Sequence, residues 1–308
     1  MSFSYSVKKE LCSLMTDRDR KYACLYGMLL FCRKFTADSI VFQTENDAVC
    51  QIFCDIADDV IGGSKVVSVT ENKKKDNTVL YVLSIEDQKY RDEIIYRYHI
   101  SSSSLIHRIQ KENIDNNSIF AFTAGAFLSC GSIAEPIKEY HLEFVVPYFN
   151  LMNDLMDVLV SLGFNVRSTE RKGTFVIYLK GSEDIEDLLT FMGATMSSIE
   201  LMNVKIFKDV RNKANRIANC DSANIERTLK ASDKQIADIE YIMEKVGLEN
   251  LPADLINIAE VRMEFPEMSL RELGEALEKP IGRSGANHRL KRISEFADKL
   301  REEYGEND

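Results

Sequence analysis

Ala121-Phe122-Thr123-Ala124-Gly125-Ala126-Phe127-Leu128-Ser129-Cys130-Gly131 is a run of small and apolar residues with a glycine at its centre. Its pattern occurs once before, in Ala23-Cys24-Leu25-Tyr26-Gly27-Met28-Leu29-Leu30-Phe31-Cys32. The alanine, the glycine, a leucine and the terminal cysteine coincide at one constant offset. An ordinary buried helix explains either copy alone. It does not explain the same glycine and the same closing cysteine in both. A glycine at the middle of a small-residue helix lets a second helix approach closely, so Gly27 and Gly125 are expected at a helix crossing.

The flanks repeat as well. After the first copy come a strand pattern over 39–44 and a helical pattern over 47–61 that ends at Gly62-Gly63. Strand patterns over 66–70 and 79–85 follow, separated by a polar hairpin at 72–77, and then a helical pattern over 87–98. After the second copy the same order returns at 140–146, 149–162, 165–169, 174–179 and 183–192. Period-2 and period-3.6 apolar spacing carries these readings. They imply two α+β units, 1–100 and 101–203, joined by a linker helix over 204–230 to an all-α domain over 231–308. A chain of 308 residues is long enough to need more than one core.

Composition is that of a globular protein, 45% hydrophobic and 29% charged. No apolar run has the length of a membrane span and Met1 to Lys9 lacks a signal-peptide layout, which points to the cytoplasm. The seven cysteines are scattered, most among apolar neighbours. Cys50 and Cys54 share a helix face, but no CxxC pair supports zinc, and no metal or cofactor is expected.

The net charge of −10 argues against attraction of the whole surface to nucleic acid. Its distribution is uneven. Residues 203–230 carry seven basic side chains against three acidic ones, and 282–294 carry Arg283, Arg289, Lys291 and Arg292 with no acid. Asn212, Asn215, Asn219 and Asn224 stand among the first group. Asparagine is a poor interior helix former, so the linker helix is expected to be interrupted near Asn219-Cys220-Asp221. Ser232-Asp233-Lys234-Gln235 has the form of a capping box and is expected to start a new helix. Pro252 and Pro266 bracket another, and Ser269-Leu270-Arg271-Glu272 forms a second capping box.

After a short turn, Ser284 is the expected N-cap of the last helix. Ala286, Leu290, Ile293, Ala297 and Leu300 form its apolar stripe. The opposite side carries Ser284, Asn287, His288, Lys291 and Arg292, types suited to base edges and phosphates. A basic helix face is ordinarily just solvated. The absence of acids and a preceding short helix with a glycine-containing turn favour a helix-turn-helix reader of double-stranded DNA. Candidate DNA-binding residues are Ser269, Arg283, Ser284, Asn287, His288, Arg289, Lys291 and Arg292.

Thr123 to Gly131 resembles a degenerate LAGLIDADG motif, as does Leu25 to Arg33. That resemblance implies two helices packed at a pseudo-twofold interface, with acids at the penultimate motif positions that hold metal for phosphodiester cleavage. Those positions are Cys32 and Cys130 here, and a thiol is a poor ligand for magnesium. Glu135 follows the second motif, but its counterpart region at Thr36-Ala37 offers no carboxylate and Asp38 is imprecisely placed. Further stretches resemble the WhiA family of bacterial regulators. They are Gly125 to Ile133, Tyr140-His141-Leu142-Glu143-Phe144, Asn219-Cys220-Asp221-Ser222-Ala223-Asn224, Ser269 to Gly274 and Pro280 to Leu290.

The resemblance implies a duplicated LAGLIDADG-like scaffold with a C-terminal helix-turn-helix domain, associated with transcription, cell division and chromosome segregation. The expected protein is a non-catalytic, sequence-specific, nucleoid-associated DNA-binding regulator. The duplicated domain is left to add DNA affinity or to bind a regulatory protein or small effector. The alternatives are an active homing endonuclease, which needs two carboxylates at the motif ends, and a ligand- or partner-binding structural protein.

Overall fold

A computed structural model describes residues 2–74, 78–100 and 108–304. The chain divides into two units, Met1–Asp209 and Val210–Asp308.

In the first unit, α1 (Phe3–Cys12) precedes two copies of one motif. The first copy comprises α2 (Arg18–Leu30), β1 (Lys34–Phe35), β2 (Ile40–Thr44), α3 (Asp47–Ile61), β3 (Ser68–Lys73), β4 (Val79–Ile85) and α4 (Gln88–Arg97). The second comprises α5 (Ile119–Cys130), β5 (Gly131–Ile133), β6 (Leu142–Val146), α6 (Phe149–Ser161), β7 (Arg167–Arg171), β8 (Thr174–Leu179) and α7 (Ser182–Met192). The sheets have the same antiparallel plan, β1-β2-β4-β3 and β5-β6-β8-β7.

Every residue from Ala23 to Leu30 in α2, and from Ala121 to Leu128 in α5, is buried. Helices apolar all round belong inside a core. A Cβ on Gly27 would lie 2.4 Å from the Phe122 carbonyl oxygen, and one on Gly125 would lie 2.1 Å from that of Cys24. The two backbones therefore touch where each sequence has hydrogen in place of a side chain.

The edge strands differ from the sequence reading. β3 is Ser68–Lys73 rather than 66–70, so Asn72 and Lys73 pair in the sheet instead of turning, while 75–77 of the expected hairpin lie outside the described residues. β7 is likewise displaced, to Arg167–Arg171. The cause is shared. All six β3 residues and four of five in β7 are exposed, so polar side chains there mark a solvated edge, not a turn. The β7–β8 turn is Lys172-Gly173, both at positive φ (51° and 76°), the two-residue geometry that follows the strand twist.

α8 (Thr195–Lys245) corrects the expected break at Asn219-Cys220-Asp221, because it runs without interruption for 51 residues. Its asparagines are exposed, and each costs the helix only about 0.7 kcal/mol against alanine. Packing holds both ends, which lets the middle propagate one hydrogen bond per residue. In the first unit, Glu10 accepts hydrogen bonds from the amides of Met196 (2.7 Å) and Ser197 (2.9 Å), capping the helix from another element. In the second unit, Ile239 and Ile242 are fully buried.

The expected cap at Ser232 is also corrected. Ser232 is a buried interior residue of α8 whose hydroxyl donates to the Pro266 carbonyl at 2.5 Å. The other elements of the second unit are α9 (Ala253–Glu264), α10 (Leu270–Ala276) and α11 (Arg283–Glu303). Their core joins Leu255, Ile258 and Ala259 to Leu273, Leu277 and the buried stripe Ala286, Leu290, Ile293, Ala297 and Leu300.

Gly125→Leu is expected to destabilise the chain by at least about 3 kcal/mol, because a side chain there displaces backbone rather than a mobile neighbour. A lowered urea midpoint checks this, and an unchanged midpoint would refute the close crossing.

Candidate nucleic-acid interface

The ends of α2 and α5 converge on a cleft of about 560 Å³ lined by Cys32, Arg33, Gln43, Ser129, Cys130 and Ser132, among others. Cys32 is 3% exposed and its thiol donates to the Lys34 carbonyl at 3.2 Å. Burial pushes both the Cys32 and Cys130 thiols up to about 12, so each is protonated at neutral pH. Protonated sulfur does not fit a hard divalent cation. Glu135 is already engaged, accepting the Phe3 amide at 2.7 Å. Among the described residues, no group of three or more His, Cys, Asp and Glu side chains has a metal-binding arrangement. Among the described residues, no carboxylate lines this cleft.

In the second unit, α10 begins with both halves of a capping box. The Ser269 hydroxyl accepts from the Glu272 amide, and the Glu272 carboxylate accepts from the Ser269 amide at 2.8 Å. That amide holds the Glu272 carboxyl below the usual range. Ser269 thus shapes a helix start. The turn into α11 is closed by the Ile281 amide, which donates to the Gly274 carbonyl at 2.9 Å. A Cβ on Gly274 would lie 2.3 Å from the Ile281 carbonyl oxygen, so this position excludes any side chain without a backbone shift.

The N-cap of α11 is Gly282, not Ser284. The turn at Gly274–Ile281 delivers the chain into the helix two residues early, leaving Ser284 exposed in its first turn. With the apolar stripe buried, Ser284, Asn287, His288 and Lys291 stand exposed along the opposite side. Arg289 and Arg292 turn toward α9 instead. Arg292 pairs with Asp254 at 3.1 Å, and Arg289 approaches the same carboxylate at 3.8 Å. Lys291 has only a loose contact with Glu295 at 3.7 Å, and its side chain is 72% exposed. Arg283 is exposed and, among the described residues, has no ion-pair partner.

Sequence reading missed three more basic residues beside this helix. Arg227, Arg262 and Arg271 share a cleft with Arg283 and Ser269. Arg262 had left a signal. It continues the face formed by Leu255, Ile258 and Ala259, a place where helical spacing calls for an apolar residue.

These features define a two-part protein, a duplicated α+β unit of LAGLIDADG type and a C-terminal helix-turn-helix domain. The family model described as the WhiA LAGLIDADG-like domain matches residues 119–211, and that of the WhiA C-terminal HTH domain matches 214–297. The chain belongs to the WhiA family. It is 35% identical to a probable cell division protein WhiA of Thermoanaerobacter pseudethanolicus, covering 98% of this chain and 99% of that one. It is 36% identical to a protein of the same name from Clostridium botulinum, with the same coverage. The crystal structure of full-length DUF199/WhiA from Thermatoga maritima superimposes with a TM-score of 0.58 at 25% identity, covering 97% of this chain and 99% of that chain. No helix among the described residues is long and apolar enough to cross a membrane.

The shifted thiols predict slow chemistry. At about pH 8, alkylation of Cys32 and Cys130 by iodoacetamide should be at least about tenfold slower than that of an ordinary thiol, thiolate scarcity outweighing the greater nucleophilicity of a more basic sulfur. The exposed Cys220 should react first. Peptide mapping over time checks this, and equal rates at all three would contradict the buried, protonated assignment.

Proposed function

We propose that this protein is a sequence-specific regulator of double-stranded DNA that acts in transcription, cell division and chromosome segregation, without nuclease activity. The observation that carries the reading is α11. Its buried stripe fixes the helix on α9 and α10, while Ser284, Asn287, His288 and Lys291 remain exposed and acid-free through its first turns. In helix-turn-helix proteins, this part of the second helix meets base edges. The relatives' name supports the connection with cell division. A cytoplasmic, nucleoid-associated location follows from the same reading. The first unit would add DNA affinity or receive a regulatory protein or small effector.

The roles along α11 divide by chemistry. Asn287 offers the paired donor and acceptor that can read adenine, and His288 is exposed one position further on. Lys291 is suited to phosphate. Arg289 and Arg292, held by Asp254, brace the helix against α9 as well as adding charge.

Selection of bound genomic fragments, followed by gel shift at two salt concentrations, tests the reading. Lys291→Ala should weaken binding to all sequences and lower the salt slope by about one unit. Asn287→Ala should cost about 1–3 kcal/mol on the best site and relax preference at one or two base pairs. If both variants stay folded and bind as before, α11 is not the reader. With magnesium or manganese, no cleavage is expected at stoichiometric protein, since Cys32 and Cys130 replace the acids. Breaks that vanish with chelator would overturn the non-enzymatic part.

A further inference from the structure

Arg262 poses an electrostatic problem that the rest of the second unit does not solve. Its side chain is 2% exposed, yet no carboxylate among the described residues lies within ion-pair distance. One terminal nitrogen, Nη1, donates to the carbonyls of Met268 (2.7 Å) and Pro266 (3.2 Å). Those bonds fix the guanidinium in place but leave its charge unneutralised. Its Nε is buried with no hydrogen-bond partner. A buried donor without a partner and a buried charge without a counterion are both costly. Burial accordingly pulls this guanidinium below its ordinary value, with Glu267 opposing the shift.

The side chain lines a cleft of about 510 Å³ between α8, α9, α10 and the start of α11. Three further arginines line it, Arg227 from α8, Arg271 from α10 and Arg283 from α11, and no acidic residue does. Arg271 is paired with Glu275 at 2.8 Å. Arg227 and Arg283 are exposed and have no ion-pair partner among the described residues. A second orphan lies in the same wall. Gln235 also lines the cleft, and its Oε1 is buried and unpaired.

We propose that this cleft is a phosphate-binding site, with Arg262 as its fixed floor and Arg227 and Arg283 as closing arms. Phosphate oxygens accept from the exposed Arg227 and Arg283, and the group's negative charge lies beside the buried Arg262 guanidinium, which no carboxylate neutralises. Charge-assisted bonds of this kind are the strong class. The phosphate comes either from the DNA backbone or from a free phosphorylated molecule, since both present the same oxygens. The first source builds on the DNA-binding reading given above and the second stands without it.

The test uses the full chain with ¹⁵N-labelled arginine, following the Nε–H signals by NMR. The buried Arg262 Nε–H should be the slowest to exchange with solvent. Inorganic phosphate is titrated against chloride at constant ionic strength, and a random-sequence DNA duplex is titrated separately. The expected result is that the slow Nε–H signal moves on at least one titration. Movement with inorganic phosphate, lost in Arg227→Ala/Arg283→Ala, assigns a free phosphorylated ligand. Movement only with duplex, and a salt slope for duplex binding reduced by about one unit in Arg227→Ala, assigns a backbone phosphate. Both substitutions are at exposed residues, which keeps the fold intact for the comparison. If the duplex binds but the signal stays fixed in both titrations and Arg227→Ala keeps the full slope, the phosphate site is wrong while the DNA-binding reading survives. If no duplex binds but phosphate moves the signal, the site stands and the DNA-binding reading falls.

Discussion

The backbone contact between α2 and α5 is the constraint on which the first unit depends. Carbonyl oxygens of Cys24 and Phe122 occupy the space that side chains at Gly125 and Gly27 would fill. Around that contact, residues Ala23–Leu30 and Ala121–Leu128 are buried on every side, so neither helix can rotate without moving its own sheet. The two sheets follow with identical strand order, each hung from the end of one of the crossing helices. The same crossing brings Cys32 and Cys130 to one cleft.

Burial explains what was legible in the sequence. The duplicated motif could be read because the close approach tolerates so few residue types. The stripe from Ala286 to Leu300 could be read because a docked helix repeats its apolar positions at a fixed period. Sequence spacing places β3 and β7 each two residues early, since an edge strand exposed to water has no alternation to fix its bounds. The asparagines of α8 misled for a related reason. Propensity weighs fractions of a kcal/mol per residue, whereas packing at both ends of a long helix decides whether its middle exists.

Ser232, Ser269 and Ser284 show the limit of motif reading at single residues. All three suit an N-cap, and only Ser269 is one. The difference lies in what each backbone amide and hydroxyl finds nearby. Ser269 follows a turn whose carbonyls are taken by Arg262, leaving its hydroxyl free for Glu272. Ser232 finds the Pro266 carbonyl and spends its hydroxyl on tertiary contact. Ser284 arrives two residues too late, because the Gly274–Ile281 contact has already set the helix start at Gly282. Such outcomes depend on neighbours distant in sequence, which local spacing does not encode.

Net charge and local charge lead to opposite expectations for this chain, and distance decides between them. At physiological ionic strength a surface charge is screened over roughly 8 Å, so acids beyond that range scarcely affect the start of α11. The segment 282–294 has no acid of its own, Asp254 and Glu295 approach it only at Arg289, Lys291 and Arg292, and the cleft beside it gathers four arginines. In the first-unit cleft the Cys32 and Cys130 thiols are neutral at physiological pH. Several arginines are therefore gathered where a tight turn fixes a helix on the surface, whereas the first-unit cleft is lined by one, Arg33. A total of −10 then serves solubility and disfavours indiscriminate contact with nucleic acid.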